Sequence, residues 1–354
     1  MATVRWMIWL WLFPAIAAAE VATPAALQVG AEFSASDSLD CGVDSSVDAQ
    51  ECLAALAWTP SDFSVRLAAA EPGCGEWLVR FPSARPIGNE INDLTAMEWF
   101  AARDAAGAIC HARAVVVVHE SGRRMTVGRI VARGLSGLGV HAFLLQLPGY
   151  GVRRDESLSD IERGLNSMQQ AIADVRRARD AVAALPLVDD SIVGVQGTSL
   201  GGFVTATVAG LDKGYDRVFI LLAGGDLQEV VLRGARDAAK IRAKLAAAGV
   251  TDEQIKELAR QVEPLRLAHR ISPSSTWLYS GKFDDVVPPR CSLALAAAAK
   301  LPAGHHIEMA ADHYSGMIYL PSLLKQMAAQ MTQPLEKEVP AKNPLPAAAA
   351  STTQ

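Results

Sequence analysis

From Ala114 onward the chain alternates short, continuous apolar runs with stretches of helical period, and no other feature limits its fold so closely. The run "AVVVVHE" (Ala114–Glu120) has no polar alternation, as expected of a strand buried on both faces. "TVGRIVARGLSGLG" follows as a helix ending at or before Gly139, and "VHAFLLQLPGYG" reads as the next strand, leaving into a Pro-Gly turn. Ile161, Leu165, Met168, Ile172, Val175 and Val182 then recur at steps of three, four or seven, one apolar stripe on a long helix that Pro186 stops. "SIVGVQG" is a strand and "GGFVTATVAG" opens a helix. "RVFILLAGG" and "STWLYSG" are two further strands, and a helix follows Pro289. Strands alternating with helices predict an α/β fold with a mostly parallel central sheet and helices on both faces. The span 227–272 interrupts the rhythm with two predicted helices. "TDEQ" at Thr251–Gln254 is a capping box after Gly249, and the pair is placed to cover a site as a lid-like insertion.

Within this frame, "VQGTSLGGF" puts Ser199 between Gly197 and Gly201, at the junction of a strand and a helix. A turn that tight needs small flanking residues and leaves the serine exposed at the sheet edge. A serine hydroxyl is a poor nucleophile without a base, and the base needs an orienting acid. Downstream, "YSGKFDDVVPP" places Asp284 just after a strand and "MAADHYSG" places His313 in a loop, giving the order Ser…Asp…His. Asp285, beside Asp284, and Asp226, at the end of "LLAGGD", are rival acids. His305 and His306 fall just before or on the last strand. His119 ends a buried strand and orders the loop after it. His111, His141 and His269 match no motif. The amide of Leu200, next after the nucleophile, is a candidate oxyanion donor.

Four motifs in this order, "HESG", "GTSLGG", "GKFDDVVPP" and "DHYSG", resemble those of the α/β-hydrolase family over about residues 114–327. "VVVVHESG" is similar to the dienelactone-hydrolase-like branch. That branch often carries cysteine as nucleophile, so Ser199 points to a serine esterase instead. The resemblance implies a second oxyanion amide from Ser121, with Glu120 as rival, and a Glu120 side chain that approaches the nucleophile. It implies a carboxylesterase acting on a small-molecule ester through Ser199, His313 and Asp284, with no metal or organic cofactor. A serine peptidase of prolyl-oligopeptidase type is the alternative, although the residues before Ala114 are too few for a propeller. A catalytically inactive binding protein is a third reading, against which the intact Ser/Asp/His set argues.

The N-terminus "MATVRWMIWLWLFPAIAAAE" pairs Arg5 with an apolar stretch and a small-residue site, as in a secretory signal peptide spanning 1–19. Residues 20–75 read as an irregular segment wrapping the catalytic domain at 76–330, and 331–354 as a disordered tail rich in Pro, Ala and Thr. A periplasmic or secreted location permits disulfides. At least one is expected among Cys41, Cys52, Cys74 and Cys110. Cys41–Cys52 with Cys74–Cys110 closes the shortest loops and leaves Cys291 free. A net charge of −5 with no basic run excludes a nucleic-acid surface of the usual kind, and no stretch after the leader is long and apolar enough to span a membrane.

Overall fold

The computed structural model describes residues 27–156 and 167–334. The leader, the first part of the wrapping segment, the tail beyond residue 334, and Ile161 and Leu165 of the apolar stripe lie outside the described residues. Ten strands form one mixed sheet: β1 (Glu32–Ser36), β2 (Asp62–Ala69), β3 (Trp77–Pro82), β4 (Leu94–Phe100), β5 (Ala112–Val118), β6 (His141–Gln146), β7 (Val188–Thr198), β8 (Arg217–Leu221), β9 (Thr276–Gly281) and β10 (His306–Met309). Their order is β1-β2-β3-β4-β6-β5-β7-β8-β9-β10. The five pairings from β6 to β10 are parallel, while β1 to β4 and the β4–β6 join are antiparallel.

The described helices are α1 (Val47–Leu56), α2 (Glu90–Asp93), α3 (Thr126–Ser136), α4 (Ser167–Ala183), α5 (Leu200–Leu211), α6 (Leu227–Arg233), α7 (Asp237–Ala247), α8 (Asp252–Gln261), α9 (Pro289–Ala298) and α10 (Leu320–Thr332). The valine run of β5 explains the two-sided layering. Ala114, Val116 and Val118 feed the core under α1, α4 and α5, while Val115 and Val117 feed the core under α3 and α10. Each valine is fully buried because both faces of its strand are covered.

Two expectations need correction. Residues 20–75 are not irregular where described: β1 and β2 belong to the central sheet, and α1 packs into the core. Phe63, Val65 and Leu67 are buried along β2 and alternate with exposed neighbours, the period of a half-buried strand. Nor is this segment held by disulfides, because all five cysteines are free. Cys52 is buried on α1, whereas Cys41 and Cys74 lie in loops and Cys110 leads into β5.

Arginines tie the segment down instead. Asp37 pairs with Arg177 of α4, and Ser38 donates its amide and its hydroxyl to Asp180 at 2.8 and 2.7 Å. Asp44 accepts from Arg270 at 2.8 Å, and Asp48 from Arg266 at 2.9 Å and Arg260 at 2.8 Å. These guanidiniums hold the carboxyls of Asp44 and Asp48 below the usual carboxylate range.

The insertion between β8 and β9 contains three α-helices, α6 to α8, rather than two. Thr251 and Gln254 form the expected capping box of α8. No helix among the described residues is long and apolar enough to cross a membrane.

Candidate active site

β7 ends at Thr198 and α5 begins at Leu200, so Ser199 occupies the turn between them. Its φ of 52° and ψ of −114° lie in a region that a non-glycine residue rarely enters. The neighbours allow it only because they lack side chains. A Cβ on Gly197 would stand 2.2 Å from the Gly201 carbonyl oxygen, and one on Gly201 would stand 2.1 Å from the Val118 carbonyl oxygen. Backbone bonds fix the turn on both sides. Ser199 donates its amide to the Leu221 carbonyl at 2.9 Å, and Gly201 donates to the His119 carbonyl at 3.1 Å.

The structure brings three expected residues together. Ser199 Oγ lies 3.0 Å from His313 Nε2, and His313 Nδ1 lies 2.7 Å from Asp284 Oδ2. Asp284 and His313 are buried, and the other oxygen of Asp284 accepts from the amides of Val286 and Val287 at 2.9 and 2.8 Å. With its carboxylate pinned from both sides, Asp284 accepts the Nδ1 proton of the imidazole. That leaves the Nε2 lone pair facing the serine hydroxyl, the tautomer a general base needs.

The rival acids stand elsewhere. Asp285 pairs with Arg236 at 3.0 Å. Asp226 caps α6, accepting from the Glu229 amide at 3.1 Å.

The Leu200 amide is one of the first N–H groups of α5, which have no intrahelical partner, at the positive end of the helix dipole. Ser121 is exposed in the loop between β5 and α3, and its carbonyl accepts from the Tyr150 hydroxyl at 3.1 Å. The Glu120 carboxylate, which the resemblance implied approaches the nucleophile, is engaged at the start of α3. Both its oxygens accept from α3 amides, Val127 and Gly128, each at 3.1 Å, because a helix N-terminus offers unpaired donors to a carboxylate.

His119 is fully buried, and burial pushes its imidazole down to about 4, so it is neutral near pH 7. Its Nε2 accepts from the Leu147 amide at 3.1 Å, which leaves Nδ1 to donate to the Glu120 carbonyl. The ring therefore braces the loop that precedes Ser121.

Arg236 and Asp237 of the insertion reach the histidine loop at Tyr314, and no motif marked either of them. Tyr314 packs edge-on to His313 with centroids 5.5 Å apart and donates its hydroxyl to Asp237 at 2.8 Å. A tyrosine beside a motif histidine was visible. Its partner, 77 residues away in the insertion, was not.

No family model matches the chain. An uncharacterized protein of Mycobacterium tuberculosis, found in two strains, is 25% identical over 135 residues. That stretch covers 37% of this chain and 30% of the relative, so the chain spans less than a third of the relative's length. The acetyl xylan esterase of Paenibacillus sp. R4 superposes with a TM-score of 0.56 at 17% identity, over 82% of this chain and 96% of its own. Acetyl xylan esterase 1 of Thermoanaerobacterium gives 0.55 at 16%, over 84% and 97%. A puromycin-hydrolyzing peptidase of Mycobacterium tuberculosis gives 0.54 at 18%, over 77% of this chain and 46% of its own. At these identities the likeness is one of fold.

Proposed function

We propose that this chain, which has the α/β-hydrolase fold, is a serine hydrolase that cleaves carboxylic esters through an acyl-enzyme. The observation that carries the reading is the continuous hydrogen-bonded path from Ser199 through His313 to Asp284, built on a strained turn. In this mechanism Ser199 Oγ attacks the ester carbonyl while His313 Nε2 takes its proton. The amides of Leu200 and Ser121 receive the developing oxyanion. His313 then returns the proton to the departing alkoxide, and water repeats the sequence on the acyl-serine. Asp284 orients the imidazole and stabilises its charged form without taking the proton.

The likeness of fold to two acetyl xylan esterases, over 82% and 84% of this chain, supports the ester reading. The puromycin-hydrolyzing peptidase supports amide cleavage as a second reading. A screen of purified protein against nitrophenyl esters of increasing acyl length, run beside peptide amides, separates them. Faster turnover of amides than of every ester would overturn the ester reading, and no turnover of either would favour the inactive binding protein.

Two finer proposals accompany this one. The insertion at 227–272 is a lid that shapes substrate choice, supported by the contact of its Asp237 with Tyr314 beside His313. The leader at 1–19 exports the protein to the periplasm or beyond, a reading that rests on its tripartite pattern alone.

A further inference from the structure

The four residues 234–237, at the corner between α6 and α7, touch both loops that supply the proposed acid and base. A Cβ on Gly234 would stand 2.4 Å from the Val286 carbonyl oxygen, so the corner lies directly on the acid loop. Ala235 donates its amide to the Asp285 carbonyl at 2.7 Å. Arg236 then reaches both loops at once. Its Nε is 3.0 Å from Asp285 Oδ2, its Nη2 is 3.7 Å from Asp312 Oδ2, and its guanidinium stands 5.1 Å over the Tyr314 ring. Asp237 accepts from the Tyr314 hydroxyl at 2.8 Å. The side chains engaged are the residue after Asp284 and the two residues flanking His313.

We propose that Arg236 is a positioning residue that clamps the acid and histidine loops in register, so that the insertion governs the alignment of His313 between Ser199 and Asp284. The inference rests on the mechanism proposed above.

The physical case is one of geometry and charge. The two loops leave separate strands, β9 and β10, and the sheet joins them at their roots, through Lys282 to Met309 at 2.9 Å and Phe283 to Ala311 at 3.1 Å. His313 must lie within hydrogen-bond reach of groups on both sides, so a small shift of either loop breaks one bond. Asp285 and Asp312 are like charges on facing loops, and the guanidinium between them turns a repulsion into a bridge. Arg236 itself has a φ of 49°, a positive value uncommon for a side-chain-bearing residue, and the surrounding bonds hold it there.

Without the guanidinium, Asp285 and Asp312 face each other with no cation bridging them. A lysine at 236 restores the charge but not the fork that spans both carboxylates.

The test compares Arg236→Ala, Arg236→Lys and Tyr314→Phe with wild type in nitrophenyl acetate hydrolysis and in the rate of fluorophosphonate labelling. The low-field proton NMR signal of the His313–Asp284 hydrogen bond is recorded alongside. For Arg236→Ala we expect at least a tenfold loss of kcat and labelling rate, KM within threefold, and the proton signal broadened or lost. Arg236→Lys keeps the charge but not the bidentate fork and should recover only part of the rate and of the proton signal. Tyr314→Phe, which removes one hydroxyl and should fold normally, is expected to lose rate in the same direction but less. An Arg236→Ala rate within twofold of wild type, a change in KM alone, or an unchanged proton signal would overturn the clamp. The NMR signal needs no turnover, so it judges the clamp even where the hydrolase reading itself fails in the Ser199→Ala control.

Discussion

Asp284 gives one carboxylate oxygen to His313 Nδ1 at 2.7 Å and the other to the amides of Val286 and Val287. Asp285, one residue on, faces Arg236 instead. Adjacent carboxylates thus serve different partners, and their substitutions should part accordingly. Asp284→Asn should reduce ester turnover by roughly 10³–10⁴-fold, because an amide at that position no longer favours the tautomer with a free Nε2. Asp226→Asn should fall within about threefold of wild type, since that residue caps α6. Asp285→Asn disturbs the Arg236 bridge and should fall between the two. Steady-state kinetics on folded variants checks the order, and a greater loss in Asp226→Asn than in Asp284→Asn would move the acid.

The turn that presents Ser199 should tolerate no side chain at Gly201. A Cβ there meets the Val118 carbonyl oxygen at 2.1 Å and the His119 carbonyl oxygen at 2.6 Å, both backbone atoms that cannot swing aside. Gly201→Ala should therefore lose fluorophosphonate labelling by at least tenfold and lower the melting temperature. Full labelling with an unchanged melting temperature would contradict the observed turn.

The alternation of apolar runs made the parallel half of the sheet legible, because strands covered on both faces need no polar positions. The elbow, acid and histidine were legible because each motif also demands a local shape: a tight turn, a strand end, a loop. The antiparallel half was not read, although Phe63, Val65 and Leu67 carry a period of two. Scattered Ser, Asp and Cys around that pattern suggested an irregular, cross-linked segment. The arginines that hold it, Arg177, Arg260, Arg266 and Arg270, come from helix α4 and from the insertion, at separations no local pattern reveals. Glu120 has partners that its motif does not reveal. The residue type matched, and the amides at the start of α3 claimed its carboxylate.

Because the cysteines are unpaired, titration of denatured, unreduced protein should return five thiols per chain, and reductant should leave the melting temperature unchanged. Fewer than five thiols would reinstate a disulfide. The N-terminal segment should depend on its ion pairs instead. Arg177→Ala strands the buried Asp37 carboxylate and should cost about 3 kcal/mol in urea unfolding.

The same segment should be acid-sensitive. The folded-state values of Asp44 and Asp48 lie below the unfolded carboxylate range, through Arg270 and Arg266 respectively. Their contribution is therefore fully present above the unfolded value, near pH 4, and is lost as pH falls below it. The melting temperature should begin to drop as pH falls below about 5 and keep dropping below about pH 3, and the drop should be shallower in Asp44→Asn. An identical slope in wild type and variant would remove Asp44 from the account.

Shortening the insertion between Leu227 and Ser272, with the 234–237 corner kept, should change acyl-length preference more than labelling rate. An unchanged substrate profile would count against the lid.

The central claim is that Ser199 is the nucleophile, and the most direct measurement is covalent labelling of wild type and Ser199→Ala by a fluorophosphonate, with the adduct located by peptide mass spectrometry. The account predicts one adduct per chain, on Ser199, no labelling of Ser199→Ala, and a loss of ester turnover of roughly 10⁶-fold, nearly matched by His313→Ala because the two act as one unit. An adduct on another residue, or a Ser199→Ala variant that keeps full activity, would contradict it.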